Sequence, residues 1–142
     1  MEISHVRNQL RNAIERSRER AQQRRQRTQE AERTYETFLQ DVATPVTKQV
    51  ANALKAEGYA FTVFTPGGGL RLAADRGRDD YVELSLDTSA DPPQVMARIS
   101  RTRGSRTIGD ERPVKRDASP EQITEADMLE FWVAALEPWF ER

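Results

Sequence analysis

Acidic side chains that could hold a metal ion are concentrated around one short turn. Asp75, Asp79 and Asp80 lie within six residues, and Glu83 follows three residues later. Carboxylate oxygens are the ligands that Mg²⁺ and Ca²⁺ prefer, so Asp79, Asp80 and Glu83 would form the metal site of a hydrolase. However, Gly77 stands where a helix–loop–helix calcium loop requires an acid or amide, and two arginines in the turn supply compensating charge. The pattern favours a solvated hairpin turn, and neither a metal nor another cofactor is predicted.

Other residue types that carry chemistry are scarce. The chain has no cysteine, which excludes disulfides, thiolate catalysis and cysteine zinc sites. The single histidine, His5, has only Glu2 as an acidic neighbour and is interpreted as an inert surface residue. The glycines after Pro66 lack the lysine, hydroxyl residue and helix of a phosphate-binding loop, so they predict a hairpin turn. We therefore predict a non-enzymatic protein and keep the carboxylate–metal hydrolase as an alternative.

Arginine is distributed very unevenly. Eight of the nine arginines in the first 44 residues lie between Arg7 and Arg27, among only two glutamates. Residues 98–116 carry seven basic and two acidic groups, whereas residues 117–142 carry one basic and seven acidic groups. Contacts between arginines and phosphates would give salt-dependent nucleic-acid binding. The residues predicted to bind a polyanion on this alternative are Arg16, Arg20, Arg24, Arg27, Arg101, Arg103 and Arg106.

The first 44 residues contain neither glycine nor proline, and they predict one long helix from about Ser4 to Val42. Drawn over residues 5–42, this helix would be roughly 57 Å long. The rest of the chain would form a body only about 30–35 Å across. Such a helix must project from its own domain or pair with another molecule.

Apolar residues of this helix repeat at three- and four-residue spacing, as on one helical face. The stripe is apolar at both ends and polar in the middle, which is not the pattern of a strong isolated coiled coil. It predicts a surface for association with another protein or a second copy. The predicted anchors are Tyr35, Phe38, Leu39 and Val42, and the contact is extended by Leu10 and Ile14.

The remaining sequence predicts a small α+β domain. Thr44 and Pro45 indicate a helix restart, with a second helix to about Glu57; a single kinked helix is the alternative. Four strand patterns follow, at about 59–65, 70–75, 81–87 and 95–99, with short connections that fit an antiparallel meander. Residues 103–122 are interpreted as a basic loop, with at most a short edge strand at 113–115. A final helix begins at Thr124, and the apolar arc predicted to cover the sheet comprises Met128, Leu129, Phe131, Trp132, Ala135, Leu136 and Trp139.

The predicted organisation is therefore an arginine-rich interaction helix over residues 1–44 and a small α+β domain over residues 45–142. The predicted function is a non-enzymatic adaptor or self-associating module that acts through its first helix. The alternative is a nucleic-acid-associated accessory protein. The absence of a signal-peptide pattern and of a long apolar run predicts a cytoplasmic protein without a membrane partner.

Overall fold

The computed structural model describes residues 1–141, so Arg142, the last residue of the predicted domain, lies outside the described residues. The chain has an α+β fold, as predicted. The elements in chain order are α1 (Ile3–Phe38), α2 (Thr44–Ala56), β1 (Phe61–Phe64), β2 (Leu70–Ala74), β3 (Tyr81–Asp87), β4 (Gln94–Arg103), β5 (Arg106–Pro113) and α3 (Glu125–Phe140). The strands form one antiparallel sheet in the order β1-β2-β3-β4-β5. The prediction of a four-stranded meander is wrong by one strand.

The helix restart predicted at Thr44 does not occur, and the alternative of a single helical run is the one observed. A π-helical segment, Leu39–Ala43, joins α1 to α2 without leaving helical backbone angles. The Thr44 N–H donates to the carbonyl of Leu39, five residues earlier, and the Thr44 side chain makes no cap. Proline lacks an N–H and its ring clashes with the carbonyl four residues earlier. A wider turn before Pro45 accommodates both effects without ending the helix.

The fifth strand lies in the segment that was interpreted as a basic loop. β5 pairs with β4 along its whole length, from Met96 opposite Pro113 to Arg103 opposite Arg106. The two strands are joined by Gly104 and Ser105, and Gly104 has the positive φ that a two-residue type II′ turn requires at its first position. Side chains from Arg106 to Glu111 are all exposed, so β5 has no alternating apolar pattern. Its charged side chains protect the outer edge of the sheet from pairing with another chain.

All three helices contribute to one core on a single face of the sheet. Leu72 and Val82 face each other across β2 and β3, and both are fully buried. Trp139 of α3 meets the ring of Phe61 of β1 edge-on, with 5.9 Å between ring centroids. Phe38 at the end of α1 belongs to the same buried cluster. Two periodicities therefore meet in this core, every second residue of the strands and every third or fourth residue of the helices.

The opposite face of the sheet carries a row of alternating charges. Arg71, Glu83, Arg98 and Glu111 are direct cross-strand neighbours on β2, β3, β4 and β5. The Arg71 Nη2 atom lies 3.1 Å from the Glu83 Oε2 atom, and the Arg71 guanidinium lies over the Tyr81 ring at 4.2 Å. Opposite charges directly across a sheet stabilise the pairing of strands. The charges of this face therefore compensate one another within the sheet.

The start of α3, predicted at Thr124, is held by two reciprocal capping hydrogen bonds. The Asp127 N–H donates to Thr124 Oγ1 at 3.1 Å, and the Thr124 N–H donates to Asp127 Oδ2 at 3.0 Å. The Lys115 Nζ atom donates to the same carboxyl oxygen at 2.9 Å. The hydrogen bond from the Thr124 backbone, followed by that from Lys115, lowers the pKa of Asp127 to about 2.

This lowered pKa gives a testable dependence of stability on pH. Because the folded-state pKa lies below the ordinary value of 3.8, the Asp127 contribution is present above pH 3.8 and is lost as the pH falls towards about 2. We expect Asp127→Asn to remove that part of the acid sensitivity, measured by urea unfolding across this range. Glu125→Gln, in the same helical turn, controls for the loss of one negative charge. A parallel loss of stability in the wild type and Asp127→Asn would contradict the assignment.

Candidate protein-interaction surface

The N-terminal part of α1 extends away from the body of the protein. α1 has 36 residues and is therefore about 54 Å long. No side chain from Ile3 to Glu30 is buried, and the first buried position of the helix is Ala31. The tertiary packing of α1 therefore lies at its C-terminal end.

Four large apolar side chains are exposed on this projecting part, on one helical face. We call them the α1 stripe: Ile3, Val6, Leu10 and Ile14, with 77%, 40%, 59% and 49% of their surface exposed. Their spacing of three, four and four residues is that of one helical face. The same face, continued towards the C-terminus, carries Thr28, Ala31 and Tyr35, which contact the body. One face of α1 is therefore covered by its own chain at one end and uncovered at the other.

The predicted anchors fall into two groups. Leu10 and Ile14 are exposed, as an interaction surface requires, whereas Phe38 and Leu39 are 3% and 6% exposed within the chain's own core. Val42 is partly buried against that core. Phe38 and Leu39 are therefore covered by the sheet domain of the same chain.

Tyr35 also packs against the core of its own chain. Its hydroxyl is buried and has no hydrogen-bond partner among residues 1–141. Burial, with a smaller contribution from the charge of Glu83, raises the pKa of Tyr35 to about 12. The phenol therefore stays neutral at physiological pH and acts as a packing group.

Basic side chains border the α1 stripe. Arg7, Arg11 and Arg18 line the same shallow surface depression as the stripe residues. Within residues 1–141, no arginine of α1 forms an ion pair; Arg20 only contacts the hydroxyl of Ser17, at 3.4 Å. With eight arginines and two glutamates from Arg7 to Arg27, the projecting helix therefore keeps a net positive charge within the described part of the chain.

A second exposed apolar surface, absent from the sequence-based prediction, lies between α2 and α3. We call it the α2/α3 groove. It has a volume of about 370 Å³, and its lining includes Val50, Ala53, Tyr59, Leu129, Val133 and Phe140. Leu129 was predicted to cover the sheet but is 51% exposed, and Val133 and Phe140 are 54% and 39% exposed. The available signal was the width of the apolar arc on α3, which exceeds what one sheet face can cover.

No family model, curated protein or solved structure matches this chain.

The acidic residues considered for a metal site have separate partners. Asp75 accepts from Thr62 Oγ1 at 2.6 Å, and Glu83 pairs with Arg71. Asp79 is exposed and accepts from Thr107 Oγ1 at 3.4 Å. Asp80 is 4% exposed and accepts from the Thr102 N–H and from Trp139 Nε1. Across residues 1–141, no three histidine, cysteine, aspartate or glutamate side chains are grouped so that they could hold a metal ion.

The two groups of arginines predicted to bind a polyanion lie far apart. Arg24 and Arg27 line a cleft with the segment 88–93, which immediately precedes β4. Arg103 and Arg106 lie at the other end of β4, at the hairpin tip, about 30 Å away along the strand. Arg16 and Arg20 are exposed on the projecting helix, and Arg101 is half-buried on β4. The seven arginines therefore do not form one continuous surface.

No helix within residues 1–141 is long and apolar enough to cross a membrane.

Proposed function

We propose that this protein is a non-enzymatic protein-binding module that associates through the projecting part of α1, most simply with another copy of itself. The observation that carries the proposal is the α1 stripe. Four large apolar side chains at positions 3, 6, 10 and 14 share one exposed helical face. This spacing is that of a helix whose anchor residues enter a hydrophobic groove.

The energetics favour a partner for this segment. Fully burying a valine, leucine or isoleucine side chain is worth about 1.5–3 kcal/mol relative to leaving it exposed. Helices in water gain most of their stability from packing an amphipathic face, and the segment from Ile3 to Glu30 has no buried side chain. Docking of the stripe would therefore stabilise both the complex and the helix itself.

The charge of the segment favours an acidic partner surface. Between Arg7 and Arg27 there are eight arginines and two glutamates. Arg16, Arg20, Arg24 and Arg27 follow one another at three- and four-residue intervals, at which like charges destabilise an isolated helix by a few tenths of a kcal/mol per pair. An acidic surface beside the stripe would remove this repulsion.

The proposal is tested by placing charge on the stripe and, separately, on the opposite side of the same helix. We expect Leu10→Glu combined with Ile14→Glu to reduce the mass measured by light scattering from a multiple of 16.3 kDa to 16.3 kDa. The matched control, Asn8→Glu with Asn12→Glu, adds the same charge on the other side of α1 and should leave the mass unchanged.

Circular dichroism on both double variants checks that the helix is retained. Self-association through the stripe would be contradicted by a wild-type mass of 16.3 kDa at the highest soluble concentration. It would also be contradicted if the two double variants had the same mass.

Nucleic-acid binding is a second candidate, supported by the unpaired arginines of α1. It requires affinity that falls steeply with salt, because each phosphate contact releases counterions. The separation of Arg24 and Arg27 from Arg103 and Arg106 weakens it, since one nucleic-acid segment would have to reach both ends of β4. Failure of the chain to retard any nucleic acid in a gel at low salt would end this candidate.

A further inference from the structure

We propose, on the basis of the function proposed above, that the partner surface for the α1 stripe is the α2/α3 groove of a second copy of this chain. Each copy carries both surfaces, so two copies can exchange stripes reciprocally and close as a two-fold dimer. Among residues 1–141, both surfaces remain exposed.

The two surfaces match in length. The stripe begins at Ile3 and ends at Ile14, and the exposed apolar residues of α3 begin at Leu129 and end at Phe140. Both pairs are separated by eleven positions, which is about 16 Å along a helix. Three turns of α1 therefore span the three turns of α3 that form one wall of the groove.

The two surfaces are also alike in apolar character. Leu129, Val133 and Phe140 are each exposed by 39–54%. The opposite wall consists of Val50, Ala53 and Leu54 of α2, and Tyr59 closes one end. A helix placed between α2 and α3 would contact apolar side chains on both sides.

The charges at the edges of the two surfaces are opposite. Glu57 lines the groove, and Glu130 and Glu137 lie beside its exposed residues on the outer side of α3. α3 contains four acidic residues and no lysine or arginine. The stripe, in contrast, is bordered by Arg7, Arg11 and Arg18, with Glu15 as the single acidic residue of that lining. Docking in the groove places positive charge beside negative charge.

Electrostatics also distinguishes the groove from the obvious competitor, which is pairing of the stripe with the stripe of a second copy. Such a pair would bring together two helical segments, residues 3–14 of each copy, that each carry Arg7 and Arg11 and no acidic residue. Like charges facing each other across an interface are destabilising and exclude wrong partners. The acidic edge of the groove removes this penalty.

The chain's own groove is not a competing site. α1 is one uninterrupted helix from Ile3 to Phe38, so its N-terminal turns cannot fold back onto α2 and α3 of the same chain. The stripe can therefore bind only the groove of another molecule.

Disulfide trapping tests the proposal directly, because the natural chain has no cysteine. One chain carries Leu10→Cys and a second, extended by a tag that separates it by size, carries Val133→Cys. Each is first examined alone, and the two are then mixed and mildly oxidised. A disulfide forms only where the two Cα atoms approach within about 7 Å. We expect a covalent product that contains one chain of each type.

The matched control is Asn8→Cys mixed with Val133→Cys, since Asn8 lies on the opposite side of α1. This mixture should form no disulfide between the two types of chain. A different result would overturn docking in the groove: a disulfide between two Leu10→Cys chains, and no disulfide between Leu10→Cys and Val133→Cys. This result would leave association through α1 intact. A wild-type mass of 16.3 kDa together with no disulfide in any mixture would overturn both proposals.

Discussion

Replacing Trp132 with alanine is expected to lower the free energy of unfolding by about 3–5 kcal/mol, the range measured when buried aromatic residues are truncated. Trp132 is fully buried and is among the largest side chains in the core. Its ring meets that of Phe131 edge-on, with 5.2 Å between the ring centroids. Its Nε1–H donates to Thr47 Oγ1 at 3.0 Å. The residue therefore joins α3 to α2 both by packing and by a buried hydrogen bond.

The hydrogen bond is part of a short buried chain. Thr47 Oγ1 accepts from Trp132 and donates to the carbonyl of Ala43 at 2.6 Å. Thr47→Val keeps the shape of the side chain but leaves the indole N–H buried without this acceptor, which costs about 1–3 kcal/mol. Trp132→Phe removes the donor as well, so the double variant should cost less than the sum of the two single variants.

Urea unfolding followed by circular dichroism measures these differences without depending on tryptophan fluorescence. Phe64→Ala is the matched control, because it also truncates an aromatic residue but at a position that is 50% exposed. We expect the control to change stability by less than about 1 kcal/mol. Equal losses for Trp132→Ala and Phe64→Ala would contradict the description of the core.

Replacing Asp80 with alanine is expected to lower the free energy of unfolding by about 2–4 kcal/mol, because the buried Trp139 indole N–H and the partly buried Thr102 N–H lose this acceptor. Asp80 Oδ1 accepts from the Thr102 N–H at 2.9 Å and from Trp139 Nε1 at 3.2 Å. The carboxyl group thus connects the turn between β2 and β3 to β4 and to α3. Gly77, with φ of 103°, lets the turn close over this group, since a Cβ there would overlap the Asp80 carboxyl oxygen.

The adjacent residue provides the control. Asp79 is exposed, and its carboxylate makes only a long, exposed hydrogen bond, accepting from Thr107 Oγ1 at 3.4 Å. The closer contact with β4 uses the Asp79 backbone carbonyl, which accepts from Ser100 Oγ at 2.7 Å. Asp79→Ala keeps that carbonyl and should change stability by less than about 0.5 kcal/mol. The same urea experiment compares the two variants. A larger loss for Asp79→Ala than for Asp80→Ala would show that the turn is not held by the buried carboxyl group.

The length of α1 could be predicted because it depends on a local property. A stretch without glycine or proline has few ways to end, and the observed helix runs to Phe38. The continuation of the helix through Thr44 could not be predicted with certainty from the sequence, because proline only disfavours a regular α-helix. Whether the chain stops or widens into a π-helical turn depends on packing, and Leu39 and Ala43 of that turn are both buried.

β5 could not be predicted as a strand, for a different reason. Its side chains from Arg106 to Glu111 all face solvent, so burial imposes no alternation on the sequence. The pairing partner is β4, and only the turn at Gly104 and Ser105 indicated that the chain reverses there. Edge strands outside the core carry little sequence signal, since backbone hydrogen bonds rather than side chains hold them.

The candidate site was predictable in part. Leu10 and Ile14 are apolar residues in a charged helix, and that contrast is visible in the sequence. Phe38 and Leu39 show the same contrast, but whether a partner or the chain's own sheet covers them is decided by tertiary structure. The exposed face of α3 with Val133 was missed because the helix has a second apolar face beyond the one that packs on the sheet.

The unbroken helical path through the π-helical segment has a consequence for how this protein tolerates change in length. A loop absorbs an inserted or deleted residue, but in a helix each residue rotates everything before it by about 100°. Removal of one residue between Ile14 and Ala31 would turn the α1 stripe through that angle relative to the body, without changing any of the four stripe residues. The number of residues in the projecting helix thus sets both the distance of the α1 stripe from the body and the direction in which the stripe faces.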